Sequence, residues 1–426
     1  MLSKLNKGGG ALVMSKDGRN LYLLSGGQIS KVDMNSGQLK GMSYNAEFEW
    51  KKPEERAYLF DHVWQQVVDK FYDPTIHNID WAFYKKEYAL FLPYIHNNYD
   101  FAEMLAELLG ELNASHTGAS YKGGGSSSQT AALGVFYDET FDGDGLKIKE
   151  ILEKGPLDLT SGKIKPGMII RKINNQEIKK GQDYFQILED LSGKRVMLTI
   201  YDPSAKKEWE EYVKPTTYGN QNGLLYNRWV KQRQEMVEKL SNGKIGYVHV
   251  KSMDSPSFRK VYSEILGKYR NKEAIIVDTR YNGGGWLHED LLHLLSGKKY
   301  AEFVPRGQFI GEDPFTQWNK PSAVLVSESN YSNAHGFPWA YKELGLGKVI
   351  GMPVPGTMTA VWWETLMDPS LVFGIPQVGM KDNQGRILEN MQLEPDIKVT
   401  NDPASAMKGR DLQLEAAVES LMKEIK

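Results

Sequence analysis

A chain of 426 residues exceeds what one typical hydrophobic core supports and predicts roughly three domains. Charged residues make up 25% and apolar residues 41%, the balance of an ordinary soluble chain, and a formal charge of −2 offers nothing to a nucleic acid. Cysteine is absent, which excludes thiol catalysis, disulfides and cysteine-ligated metals, and no apolar run approaches the roughly eighteen residues of a membrane span.

The opening MLSKLNKGGGALVMSKDG has no apolar segment of the secretory kind, which bears on localisation only if Met1 is the natural start. Localisation therefore stays open between cytoplasm and export. Residues 11–44 alternate short apolar runs with turns at Asp17-Gly18 and Asn35-Ser36-Gly37, the pattern of a four-stranded sheet similar to one blade of a β-propeller. One blade cannot bury both its faces, so the expectation is that the chain is the C-terminal part of a longer protein. A small sheet packed on the next domain is the equal alternative.

From 45 to 122 the pattern is helical. AYLFDHVWQQVVDKFY places Leu59, Val63, Val67 and Phe71 at four-residue steps, a stripe for burial, and FAEMLAELLGEL repeats the idea before Ser115-His116-Thr117. GGGSSSQTA, 123–131, reads as a flexible linker. Residues 131–214 are β-rich. Within them GKIKPGMIIRKINNQEI, a turn, a strand, an Asn-Asn hairpin and then a helix, resembles a PDZ domain. That resemblance implies a carboxylate-binding loop at Leu133-Gly134-Val135-Phe136 and capture of extended peptides along a sheet edge. A spacer domain is the plainer alternative.

Residues 215–426 alternate strands (IGYVHV, AIIVDTR, AVLVSES, KVIGMPV) with helical segments, an α/β domain with a largely buried sheet. The last helix carries Leu412, Leu414, Val418 and Leu421 and is expected to dock as a cover. Two of these strands end in turns with chemical potential. AIIVDTRYNGGGWLHED and AVLVSESNYSNAHGFPWAY each run from strand through a Gly- or Ser-bearing turn into a helix, where backbone N–H groups point outward unpaired. Ser332 offers a hydroxyl nucleophile at one turn, and Gly283, Gly284 and Gly285 offer N–H donors at the other, the parts of an acyl-transfer site.

Such a hydroxyl needs a base, and eight histidines are available. His62, His77 and His96 fit packing or surface roles. His249 sits within a strand, His288 and His293 ride a helix, and His335 lies three residues from Ser332. His116 differs in lying among small polar residues at a helix end, but residue pattern alone does not choose among them. No GxSxG elbow surrounds Ser332, no GxxxxGK[ST] follows the glycines and no HExxH is present, so neither metal nor cofactor is expected. VWWETL, 361–366, is read as cleft wall or core, with the cleft slightly favoured because Trp362 and Trp363 face opposite sides of a strand.

ELNASHTGASY, VDTRYNGGG, SNYSNAHGFPWAYKELGLGKVIG and LENMQLEPDIKV occur here in an order and at separations that resemble the tricorn branch of the C-terminal-processing (S41) serine peptidases. The resemblance covers nearly the whole chain, as the C-terminal portion of such proteins with its PDZ domain. It implies a multidomain α+β fold: a small β segment, a helical domain carrying Ser-His, a PDZ-like β domain and an α/β catalytic domain of the crotonase/ClpP kind. It implies Ser332 as nucleophile, His116 as general base, and Ser115 and Glu389 as supports. The oxyanion hole falls to the N–H groups of Gly285 and Asn333, with Gly284 and residues 133–136 facing substrate. Asn333 stands where some members have Asp. Thr357 stands where a Ser–Lys branch has its lysine, so a Ser–Lys dyad is not expected. The implied activity is serine endopeptidase action on oligopeptides or unfolded proteins through an acyl-enzyme. The alternatives are a catalytically silent, PDZ-bearing peptide-binding scaffold and an esterase. Homo-oligomerisation is left open.

Overall fold

The computed structural model describes residues 10–425 apart from 46, 48, 124–127 and 161. Residues 124–127 of the Gly/Ser stretch expected as a linker lie outside the described residues. Two compact units, Met1–Tyr58 and Leu59–Lys426, divide the chain. In the first, β1 (Ala11–Met14), β2 (Leu21–Ser25), β3 (Gln28–Val32) and β4 (Leu39–Met42) form one antiparallel sheet in chain order. Gly26 and Gly27, between β2 and β3, hold φ of 57° and 74°, the left-handed pair that a two-residue hairpin requires.

Helix α1 (Lys52–Lys70) buries Leu59, Val63 and Val67, the stripe read from the sequence, with Phe71 just beyond its end. Helices α2 (Trp81–Ala89) and α3 (Asn98–Gly110) begin at side-chain caps, Asp80 accepting from the Phe83 N–H and Asn97 from that of Asp100. Phe101, Leu105, Leu108 and Leu109 of α3 complete this core. Strand β5 (Gly118–Tyr121) follows directly after Ser115 and His116.

The β-rich segment contains β6 (Ala131–Ala132), β7 (Val135–Tyr137), β8 (Leu146–Ile151), β9 (Ile169–Ile173), β10 (Gln176–Glu177), β11 (Val196–Asp202), β12 (Lys207–Val213) and β13 (Thr216–Thr217). Its main sheet runs β12-β11-β9-β8-β7, leaving β7 at an edge. Asn174 and Asn175, at φ 47° and 65°, make the β9–β10 hairpin. The helix expected after that hairpin is only a 3₁₀ turn, Phe185–Leu188. Just beyond it Glu189 bridges to Thr130, and Asp190, at φ 54°, donates its N–H to Gln129 O. Those bonds pull the chain away before a second turn can form.

Helix α4 (Tyr218–Leu240) leads into β14 (Ile245–His249), α5 (Ser255–Ser263), β15 (Ala274–Asp278) and α6 (His288–Leu295). After a hairpin of β16 (Ala301–Phe303) and β17 (Gly311–Asp313) come β18 (Ser322–Val326), α7 (Asn333–Glu343) and β19 (Lys348–Gly351). Then follow β20 (Thr359–Thr365), β21 (Leu371–Gly379), β22 (Ile397–Lys398), α8 (Pro403–Met407) and α9 (Leu412–Glu424). Strands β14-β15-β18-β19-β22 form an all-parallel sheet. Its strands read as unbroken apolar runs because both faces are covered. Val277 and Val324 pack with Val261, Leu291 and Phe337 of α5, α6 and α7. Ile276 and Leu325 pack with Val230 and Val237 of α4 and with Leu414, Val418 and Leu421 of α9. Among the described residues, no helix is long and apolar enough to cross a membrane.

Strands β20 and β21 leave this sheet and join β5 in an antiparallel trio ordered β20-β21-β5. Leu366, Leu371, Phe373 and Ile375 thereby enter the helical core. This pairing carries residues 115 and 116 to the α/β part of the molecule. Just past β15 a buried ionic cluster ties in α9. The Arg280 guanidinium, 1% exposed, bonds Asp278 at 2.7 Å and Asp411 at 2.9 Å, while the Tyr247 hydroxyl donates to Asp278 at 2.7 Å.

Candidate active site

The turn after β18 places Ser332 at φ 57°, ψ −128°, a strained conformation for a residue with a Cβ. Its surroundings over-determine it. The Ser332 N–H donates to Thr357 Oγ1 at 2.9 Å, and the Tyr331 N–H to Asn282 O at 3.1 Å. Asn330, 1% exposed, donates from Nδ2 to Thr279 Oγ1 and to Ala334 O. Helix α7 starts at the next residue, so the Asn333 N–H belongs to its unpaired first turn.

The glycine turn after β15 lies against Ser332. A Cβ on Gly284 would come within 2.6 Å of Ser332 Cβ, and one on Gly285 within 2.2 Å of Met253 O, so neither position admits a side chain. The Gly284 N–H is already bonded to Asn282 Oδ1 at 2.8 Å, and its carbonyl accepts from Met253 N–H. Gly284 therefore buttresses the wall, with its own N–H and carbonyl already engaged. Among the described residues, the N–H groups of Gly285 and Asn333 have no acceptor.

His116 arrives from the loop between α3 and β5, at φ 64°. Its N–H donates to the Tyr331 hydroxyl at 2.7 Å, and its ring lies 4.7 Å from the Tyr331 ring. Nδ1 sits 2.8 Å from Ser115 Oγ and 3.1 Å from Thr359 Oγ1, and those hydroxyls are 2.9 Å apart. Glu389, 5% exposed, receives the Ser115 N–H on Oε1 at 2.5 Å and the Met358 N–H on Oε2 at 2.7 Å. It thus clamps the His116 loop to the start of β20 through backbone donors. Burial raises the Glu389 pKa, opposed by those N–H groups, and burial lowers that of His116.

His116, Ser332, Gly285 and Asn333 share one cavity of about 400 Å³. Among the described residues, no hydrogen bond joins the Ser332 hydroxyl to the imidazole, a looseness common where no substrate is bound. His335 is unsuited to the part: it is 1% exposed, its Nδ1 accepts the Thr357 N–H at 3.2 Å, and burial holds its pKa at about 4. His62, His77 and His249 are engaged by Glu364, Leu112 O and Tyr226.

Several contributors have no sequence signal of their own. Thr359 and Tyr331 act on His116 only because remote segments meet. Asn333 mattered in the sequence for its N–H alone, yet its side chain does more. Oδ1 accepts from Leu287 N–H at 2.8 Å and His288 N–H at 3.0 Å, and Nδ2 lies 2.7 Å from His288 Nδ1, so it ties the two donor turns together. Trp363 lines the cavity and Trp362 does not. The stretch 133–136 lies elsewhere. Leu133 and Val135 are buried in the β-rich core, the Gly134 N–H is taken by Gln221 Oε1 at 3.1 Å, and Phe136 lines a separate groove with Tyr184 and Phe185.

The model of Peptidase family S41 matches residues 244–399, which include the glycine turn, Ser332 and Glu389, and that of the Tricorn protease C1 domain matches 52–110. The chain is 23% identical over 386 residues to the Tricorn protease of Thermoplasma acidophilum, covering 88% of this chain and 35% of that protein. It is 24% identical to a Putative Tricorn-like protease C-terminal subunit of Sulfurisphaera tokodaii, covering 98% and 49%. Tricorn protease homolog 1 of Streptomyces coelicolor is 26% identical, covering 87% and 35%. The chain thus spans between 35% and 49% of these relatives' length. A crystal structure of the tricorn protease shares its fold, with a TM-score of 0.83 at 19% identity over 97% of this chain and 41% of that one.

Proposed function

We propose, since the chain is a tricorn-like member of the S41 peptidases, that it hydrolyses peptide bonds in oligopeptides or unfolded proteins through an acyl-enzyme on Ser332. The Ser332 hydroxyl attacks the scissile carbonyl while His116 Nε2 takes its proton. Nδ1–H, facing Ser115 and Thr359, fixes the tautomer that leaves Nε2 free to accept. Glu389 holds that arrangement by gripping the backbone of residue 115. The tetrahedral oxyanion is received by the N–H groups of Gly285 and Asn333, each such donor being worth about 3–4 kcal/mol. His116 then returns the proton to the leaving amine, and water repeats the sequence on the acyl-enzyme.

The observation that carries this reading is the meeting of imidazole, hydroxyl and two unpaired N–H groups at one cavity. A silent peptide-binding scaffold would leave the Ser332 strain, of about 1–3 kcal/mol, without purpose. A fluorophosphonate probe is expected to modify Ser332 and to leave Ser332→Ala unlabelled, as read by peptide mass spectrometry. Absence of labelling at residue 332 in the folded protein would favour the scaffold. Comparing turnover of matched ester and peptide substrates separates a peptidase from an esterase.

The buried imidazole sets the pH response. With its pKa below the usual 6.5, His116 is deprotonated and able to accept at neutral pH, so kcat/KM rises with pH through an acid limb centred below 6.5. Rates of a peptide substrate between pH 4 and 8 check this, and a limb centred above 7 would contradict it.

A further inference from the structure

We propose that the cavity beside Ser332 selects an apolar side chain on the residue whose carbonyl is attacked, and that strands β20 and β21 determine this. The inference rests on the peptidase reading and deepens it. Beyond the catalytic groups and their partners, the cavity wall is made by Trp286, Met358, Val361, Trp363, Val378 and Met380. Among the described residues, no Asp, Glu, Lys or Arg lines it. A charged substrate side chain would lose water there and gain no counter-ion, whereas an apolar one gains by leaving water.

The composition of that wall follows from the alternation of β20, which a slip in its pairing leaves intact. Ala360 lies opposite Val378, but Val361 lies opposite Pro376, a one-residue slip in register. Side chains alternate along a regular strand, so consecutive residues point apart. The extra residue of the slip, Gln377, lies on β21, so β20 keeps its alternation and Thr359, Val361 and Trp363 share the face that lines the cavity. The same alternation puts Trp362 and Glu364 on the opposite face of β20. Glu364 thus points away from the cavity, and its carboxylate meets His62 Nε2 at 2.8 Å and Lys70 Nζ at 3.1 Å. A carboxylate that would have welcomed a basic substrate is thus kept out. Gly374, opposite Trp363, completes the arrangement: a Cβ there would lie 2.8 Å from the indole, so glycine lets the ring lie across β21.

The test uses internally quenched peptides differing only in the residue before the scissile bond: Leu, Phe, Lys or Glu. The full chain is expected to show kcat/KM at least tenfold higher for Leu and Phe than for Lys and Glu. In Val378→Asp, a substitution at a half-exposed site, the Lys-to-Leu ratio is expected to rise at least tenfold. Binding to Ser332→Ala of product peptides ending in Leu, Lys or Glu, followed by tryptophan fluorescence, asks the same question without turnover and is expected to give the same order. Equal or reversed preference in that binding series overturns the proposal. If Ser332 is neither labelled nor active while the binding order holds, the peptidase reading falls and the pocket assignment stands.

Discussion

Alanine at position 116 is expected to lower kcat for peptide cleavage by about four to six orders of magnitude, the loss seen when one member of such a catalytic unit is removed. A serine hydroxyl near its ordinary pKa is inert, and the cavity holds no second imidazole to relieve it. His335, close in sequence, has Nδ1 committed to Thr357 and is walled off from the cavity. Peptide binding by the variant should change little, because the apolar wall of Trp286, Met358, Val361, Trp363, Val378 and Met380 is untouched. Turnover measured beside peptide affinity and circular dichroism checks this. Near-normal turnover in a folded His116→Ala protein would remove His116 as the base.

The second large effect concerns stability. Asp411→Ala is expected to destabilise the α/β part by about 3–5 kcal/mol, because it strips one of two carboxylates from a fully buried guanidinium. Burial opposes ionisation of Asp411, yet Arg280 holds its pKa below the usual value. Asp411 also receives the Leu414 N–H at 3.1 Å as the cap of α9, a contact whose loss adds about 1 kcal/mol. Urea unfolding followed by tryptophan fluorescence measures the change, and a shift below about 1 kcal/mol would show that the cluster is not a structural tie. Arg280→Met is expected to cost at least as much, since it leaves the buried Asp278 and Asp411 carboxylates without their shared guanidinium.

Much of this architecture could be read from residue order. The parallel strands announced themselves as AIIVD and AVLV because burial on both faces removes alternation. The α1 stripe was visible for the same reason in reverse, since only one face is covered. What failed were features decided by partners far away in the chain. A helix was expected beyond the Asn174-Asn175 hairpin, but contacts of residues 189 and 190 with residues 129 and 130 cut it to one turn. The Leu133-Gly134 loop looked open until Gln221 met its N–H. Choosing His116 from eight histidines required family resemblance, because its polar neighbours Thr359 and Tyr331 are contributed by segments more than two hundred residues on, and the slip between β20 and β21 has no local mark.

The trio of β20, β21 and β5 also imposes an order of events. On the proposed reading, a growing polypeptide exposes its imidazole long before its hydroxyl, and strand β21, which pairs with β5 just beyond the former, is made later still. On that reading hydrolytic competence cannot precede the folding of β20 and β21 onto β5.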